Sequence, residues 1–185
     1  PVGTTGTLLL DPDEITIVSG LAATTAGITC AGGGTCAVPA VTGPFTDTAT
    51  VPATGGTLTD GTINAQLAIS SVTVQTSLND IAISNASGTV AITPGVANAN
   101  TLTLDSAANI SWNAGWSYTN NGALTLKANT GSIAGTGTLS VNGTGGLELR
   151  ANTTINATTA TDKLAAFAPG GVTISNTAPS GTLAV

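Results

Sequence analysis

A short apolar unit that keeps returning limits this chain more than any other feature. Five segments read aliphatic-x-aliphatic: Val72-Thr73-Val74, Leu102-Thr103-Leu104, Leu124-Thr125-Leu126, Leu147-Glu148-Leu149 and Val172-Thr173-Ile174. From the second onward their starts, at 102, 124, 147 and 172, lie 22, 23 and 25 positions apart. A second strand follows most of them, as Ile81-Ala82-Ile83, Ile110-Ser111-Trp112 and the segments beginning at Ile133 and Ile155. A third appears as Trp116-Ser117-Tyr118 and Leu139-Ser140-Val141. Corner sequences separate them, such as Ala128-Asn129-Thr130-Gly131 and Asn142-Gly143-Thr144-Gly145-Gly146. A unit too short to bury its own apolar face, repeated at near-constant spacing, has to stack on its neighbours.

The fold this predicts is all-β: a right-handed parallel β-helix, or solenoid, with about three short strands per coil. Alternation points the two aliphatics of each triplet inward and the middle residue outward. Equivalent strands of successive coils then lie about 4.8 Å apart in parallel register. The outer surface becomes a ladder of Thr73, Thr103, Thr125, Glu148 and Thr173. The right-handed sense follows the usual chirality of parallel crossovers. An antiparallel sandwich also has short strands and frequent turns, but it does not require the same triplet to return at a fixed period.

Composition agrees with strands and narrows the partners. Of 185 residues only 3 are Lys or Arg and 9 are Asp or Glu, and His and Met are absent. Thr, Val and Ile suit strands, Gly and Asn suit corners, and the usual helix formers are scarce. Mean hydropathy is positive at +0.36, unlike a disordered chain, which combines low hydropathy with high charge. The net charge of -6 predicts no nucleic-acid partner and no anionic membrane surface, both of which need basic patches. No apolar run is long enough to span a bilayer, so no membrane insertion is expected. The chain begins Pro1-Val2-Gly3, without an initiator Met or a basic leader, and is read as a processed product or an excerpt.

Residues 1–185 are expected to form one β-helix segment of a larger protein. Thr7-Leu8-Leu9-Leu10 and Ile15-Thr16-Ile17 read as strands around the corner Asp11-Pro12-Asp13-Glu14. Residues 18–58 are then rich in Ala, Thr, Gly and Pro, and Pro39, Pro44 and Pro52 oppose a ladder, so this stretch reads as a loop-rich excursion from the wall. Regular coils are expected over 62–185. Cys30 and Cys36 sit in the excursion around Ala31-Gly32-Gly33-Gly34-Thr35, flexible enough to close a small ring. A disulfide is expected there and a metal site is not, because no His and no third Cys exist to complete one. Such a bridge implies an oxidising compartment.

The string Gly6-Thr7-Leu8-Leu9-Leu10-Asp11-Pro12-Asp13-Glu14-Ile15-Thr16-Ile17 resembles a recurring segment of two-partner-secretion exoproteins, the filamentous-haemagglutinin-like and high-molecular-weight adhesins of Gram-negative bacteria. Gly61-Thr62-Ile63-Asn64-Ala65-Gln66-Leu67 resembles that family's strand seed before the long excursion closes, and Val72-Thr73-Val74-Gln75-Thr76 with Ile81-Ala82-Ile83 resembles its next coil. Leu102 through Ile110 and Leu124 through Ile133 are similar to its repeats. The resemblance implies a shaft exported through an outer-membrane transporter partner and displayed on, or released from, the cell surface. There it would serve adhesion, biofilm formation, cell–cell contact or haem-carrier capture, against a host-cell or bacterial surface ligand. The family's secretion domain carries an Asn-Pro-Asn-Gly type string; none occurs here, which places this segment after that domain.

The side chains offer little chemistry. A nucleophilic triad usually needs His. A carbohydrate-active β-helix needs clustered carboxylates, often with Arg or Lys, and here the acids are scattered while Lys127, Arg150 and Lys163 are isolated. Asp11, Asp13 and Glu14 read as a turn and not as a calcium site. Gly55-Gly56-Thr57-Leu58-Thr59-Asp60 faintly resembles a calcium-binding nonapeptide but occurs once, and is read as a turn. Asn85, Asn109, Asn142, Asn152 and Asn156 each open an Asn-x-Ser/Thr sequon, candidate glycosylation sites in a chain where chance alone generates several. The Thr ladder is one residue wide and broken by Glu148, which suits a solvent-facing β wall better than an ice-binding face. Trp112, Trp116 and Tyr118 read as core packing, with sugar stacking the other option. No catalysis and no cofactor are expected. The functional expectation is a non-catalytic structural and adhesive shaft. The alternative is a self-assembling extracellular filament or sheath subunit whose open ends associate end to end.

Overall fold

The computed structural model describes residues 8–10, 14–20, 29–30, 34–35, 56–94 and 99–185. The chain opens with β1 (Leu8–Leu10), β2 (Ile15–Val18), the short β3 (Thr29–Cys30) and β4 (Gly34–Thr35), then β5 (Gly56–Thr59) and the helix α1 (Asp60–Leu67). There follow β6 (Val72–Gln75), β7 (Ile81–Ser84), β8 (Ala91–Ile92), β9 (Leu102–Ser106), β10 (Ile110–Trp112) and β11 (Trp116–Thr119). The last elements are β12 (Leu124–Ala128), β13 (Ile133–Asn142), β14 (Leu147–Ala151), β15 (Ile155–Ala160), β16 (Leu164–Phe167) and β17 (Val172–Thr177).

Two sheets result, and nearly every pairing in them is parallel. The first runs β1-β6-β9-β12-β14-β16. The second runs β17-β15-β13-β10-β7-β2-β5-β3-β4, with β11 bridging β13 and β8. Each regular pass places one strand in the first sheet and the following strand or strands in the second, so the described residues are mostly parallel β-sheet with one helix. The strongly curled sheet fits an all-β parallel solenoid. Among the described residues only β3 breaks the parallel rule, pairing antiparallel with β4 and β5.

The registers explain why the triplets recur. In the first sheet Val72, Leu102, Leu124 and Leu147 stand in line, as do Val74, Leu104, Leu126 and Leu149. All eight are buried. In the second, Ile15, Ile81, Ile110, Ile133 and Ile155 form another line. Burying each such side chain contributes about 1.5–3 kcal/mol relative to leaving it exposed. Trp116 over Leu139 and Tyr118 over Val141 close the third side of the core. The corners need special backbone: Gly143 has φ +119°, and a Cβ there would run into the Asn120 carbonyl.

Three expectations require correction. Val172-Thr173-Ile174 does not continue the Leu102, Leu124, Leu147 line. The strand in register with Leu147 is β16, through Leu164, and β17 instead pairs with β15 in the second sheet. The outer ladder after Glu148 therefore continues with Ala165 and not Thr173. The period of 25 was a coincidence of two different walls, because the last pass is shortened. Next, the segment from Gly61 to Leu67, expected as a strand, is helical. Thr59 caps it, its Oγ1 accepting from the Thr62 N–H at 3.3 Å, and Ile63 and Leu67, four apart on one face, are buried. Regular strands thus resume at Val72, not near Thr62. Finally, the stretch read as a turn holds a strand: Gly56–Thr59 is β5, in parallel register with β2 at the end of the segment assigned to the excursion.

Candidate functional site

The outward residues of the first sheet bring together Asp105, Lys127, Glu148 and Arg150. Alternation presents two columns: Thr73, Thr103, Thr125, Glu148 and Ala165, and beside it Gln75, Asp105, Lys127, Arg150 and Phe167. Parallel register brings charges from separate passes together. Lys127 Nζ lies 3.0 Å from Asp105 Oδ2, and Arg150 Nε pairs with Glu148 on its own strand. Asn129 Nδ2 donates to Asp105 Oδ1 at 2.6 Å, and Thr125 Oγ1 donates to Glu148 at 3.4 Å. Each cation is matched by an acid, so the face is nearly neutral and organised by hydrogen bonds. Phe167, 66% exposed, ends the column beside Arg150. Hydroxyls, two ion pairs and one exposed ring line this face. Among the described residues no group of three His, Cys, Asp or Glu side chains could hold a metal ion.

The sequons fall into two groups. Asn142, Asn152 and Asn156 are exposed. Asn85 and Asn109 spend their amides on structure. Asn85 Nδ2 donates to the Gly115 carbonyl at 2.6 Å while its Oδ1 accepts from the Val90 N–H. Asn109 Nδ2 donates to Asp80 Oδ1 at 3.0 Å while its Oδ1 accepts from the Ser132 N–H. A sugar on either nitrogen would have to displace those bonds. The Cys30–Cys36 expectation lies outside the described residues, since only the Cys30 backbone, in β3, is described. Asp11 and Asp13 also lie outside them; Glu14 is exposed.

The aromatic residues are core. Trp112, Trp116 and Tyr118 are all buried, and the two indoles meet edge to face at 6.5 Å. Trp112 Nε1 donates to the Gly137 carbonyl at 3.2 Å, whereas the buried Trp116 Nε1 has no hydrogen-bond partner. Tyr118 Oη donates to the Gly122 carbonyl at 3.1 Å and accepts from Asn120 Nδ2 at 3.0 Å. Burial pushes its phenol pKa up, against the hydrogen bonds from Asn120 and the Leu102 backbone.

Two features escaped the sequence reading. The charged column follows from register, since Asp105, Lys127 and Arg150 each come one place after the triplet. The other is Asp60, a buried carboxylate whose Oδ1 accepts from the Gly20 N–H and Oδ2 from the Ala91 N–H, both at 2.9 Å. The Thr59-Asp60 pair, a capping residue followed by an acid, was the signal for a helix start there.

What the fold defines is a class: a mostly parallel, curled β protein, one of whose sheet faces carries two ion pairs. Comparison with protein-family models, with curated proteins and with solved structures finds no match for this chain. Among the described residues no helix is long and apolar enough to cross a membrane.

Proposed function

We propose that this chain is a segment of right-handed parallel β-helix that serves as the non-catalytic structural and adhesive shaft of a secreted bacterial surface exoprotein of the filamentous-haemagglutinin-like kind. The observation that carries the reading is the first sheet, six strands in unbroken parallel order with two buried aliphatic lines running through four of them. Each pass rests on the next, so the structure is quasi-one-dimensional and gains stability with each added pass. Resistance to proteolysis follows, because the backbone groups are held in ladders. In this reading the chain is exported through an outer-membrane transporter, works outside a Gram-negative cell, and meets a host-cell or bacterial surface through its outer faces or through the excursion.

The test is direct. Beads coated with the purified chain should bind bacterial or epithelial cells more than albumin-coated beads do, and soluble chain should compete. Binding no greater than albumin would remove the adhesive half of the proposal. A crystal structure with antiparallel ladders between β9, β12 and β14 would remove the shaft. A second reading, a self-assembling filament subunit, draws on β16 and β17, which end their sheets with Phe167 and Val172 exposed. Concentration-dependent fibres of the purified chain would favour it.

A further inference from the structure

The third wall of the core ends at β8. One edge of β8 pairs with β11, through Ala91 with Ser117 and Ile92 with Tyr118. The other edge faces α1. In chain order α1 follows β5 as β8 follows β7 and β11 follows β10. The helix therefore occupies the place of a third-wall strand, and that strand's hydrogen bonds have to come from elsewhere.

They come from two side chains. In a parallel ladder a residue opposite Ile92 would donate its N–H to the Ala91 carbonyl and accept, on its own carbonyl, the Thr93 N–H. Asn64 does both with its carboxamide: Nδ2 donates to the Ala91 carbonyl at 3.0 Å, and Oδ1 accepts from Thr93 N–H at 2.7 Å. Asp60, one helical turn earlier, accepts the remaining edge donor, the Ala91 N–H, at 2.9 Å. Both donors and the acceptor on this side of β8 are thereby occupied. Exposed edges of this kind are templates for pairing with another chain, and covering them with a helix is one way proteins prevent it.

We propose that α1 is an end cap, in which Asn64 imitates a peptide group and Asp60 completes it, closing the β8 edge to strand addition by a second copy of this chain. The cap gives the molecule a direction: addition through this wall is blocked at the N-terminal side. The inference stands on the geometry around β8 and not on what the shaft adheres to.

Amide hydrogen exchange on the unmodified chain is read first and needs no variant. Thr93 and Ala91 amides should be protected; free exchange at Thr93 overturns the cap. Asn64→Leu keeps the bulk and removes both hydrogen bonds. It should speed Thr93 exchange about tenfold and make the chain associate as concentration rises in sedimentation velocity, where the unmodified chain does not. Ile63→Val, which loosens buried α1 packing without touching the edge, is the control for mere destabilisation and should not associate. A monomeric Asn64→Leu with a freely exchanging Thr93, or equal association by Ile63→Val or by the unmodified chain, overturns the proposal.

Discussion

Gly135→Ala sets two forces of opposite sign against each other. Glycine inside a strand gives up backbone entropy, so replacing it with alanine ordinarily stabilises by about 0.5–1 kcal/mol. Gly135 is opposite Trp112 in the β10–β13 register, and a Cβ there would fall within 3.0 Å of three atoms in the middle of the indole. The ring cannot swing away cheaply. It is 4% exposed, it packs on Trp116, and its Nε1 is held by the Gly137 carbonyl. Overpacking a core of this kind costs about 1–3 kcal/mol, and losing the indole hydrogen bond costs about 0.5–1.5 kcal/mol more.

The net expectation is a loss of roughly 0.5–4 kcal/mol, which for a chain of this size lowers Tm by roughly 1–16 °C. Thermal unfolding followed by circular dichroism measures it. The second half of the test is Trp112→Ala as a background. With the indole gone, Gly135→Ala has nothing to strike and should become neutral or stabilising by up to about 1 kcal/mol. If Gly135→Ala stabilises the unmodified protein, or costs the same with and without Trp112, the reasoning from register to contact fails.

Other outcomes follow from the same geometry. Leu126→Ala, in a fully buried line between Leu104 and Leu149, should cost about 2–5 kcal/mol by urea unfolding, and Leu164→Ala, only partly buried, clearly less. Tyr118→Phe should cost about 1–2 kcal/mol, since it leaves the Gly122 carbonyl and the Asn120 amide short of a partner. The Tyr118 phenol has a raised pKa in the folded state, so its contribution is fully present below about pH 10 and fades as pH rises through the folded value. An alkaline stability profile should therefore flatten in Tyr118→Phe. Lys127→Ala should cost under about 1 kcal/mol, and the difference should shrink in high salt, because the Asp105 pair is partly exposed.

The first sheet was legible because its side chains do two things at once. Leu102, Leu124 and Leu147 mark both a strand and its place in the stack, so period and alternation agree. The last pass was not legible for the same reason. Leu164-Ala165-Ala166-Phe167 offers no alternation, its Ala165, Ala166 and Phe167 are all exposed, and Val172-Thr173-Ile174 supplied a better-looking match on the wrong wall. Helix α1 hid differently. Gly61, Thr62 and Asn64 are weak helix formers, so propensity argued against it, and tertiary contacts through Ile63, Leu67 and Asp60 decide the matter. The charged face needed register, which exists only after stacking is known.

The unusual composition follows from this construction. A parallel wall leaves its corners with backbone groups that the ladder does not reach, and short polar side chains are the reagents that satisfy them. Thr76 and Ser106, buried at one corner, donate to the carbonyls of Asn79 and Asn109, at 2.7 and 2.8 Å. At the equivalent place in the next two passes Ala128 and Ala151 stand instead, and Asn129 Nδ2 donates to the Ser106 carbonyl from outside. Asn120 reaches the Asn100 carbonyl, and Asn176 grips both the N–H and the carbonyl of Thr161. With Asn64 at β8 and Asn85 at Gly115, these are all one chemistry, an amide side chain standing in for a strand or a turn. Part of the abundance of Asn, Ser and Thr follows from the corners they satisfy. Of the sequon asparagines, only the exposed Asn142, Asn152 and Asn156 are left for a surface role.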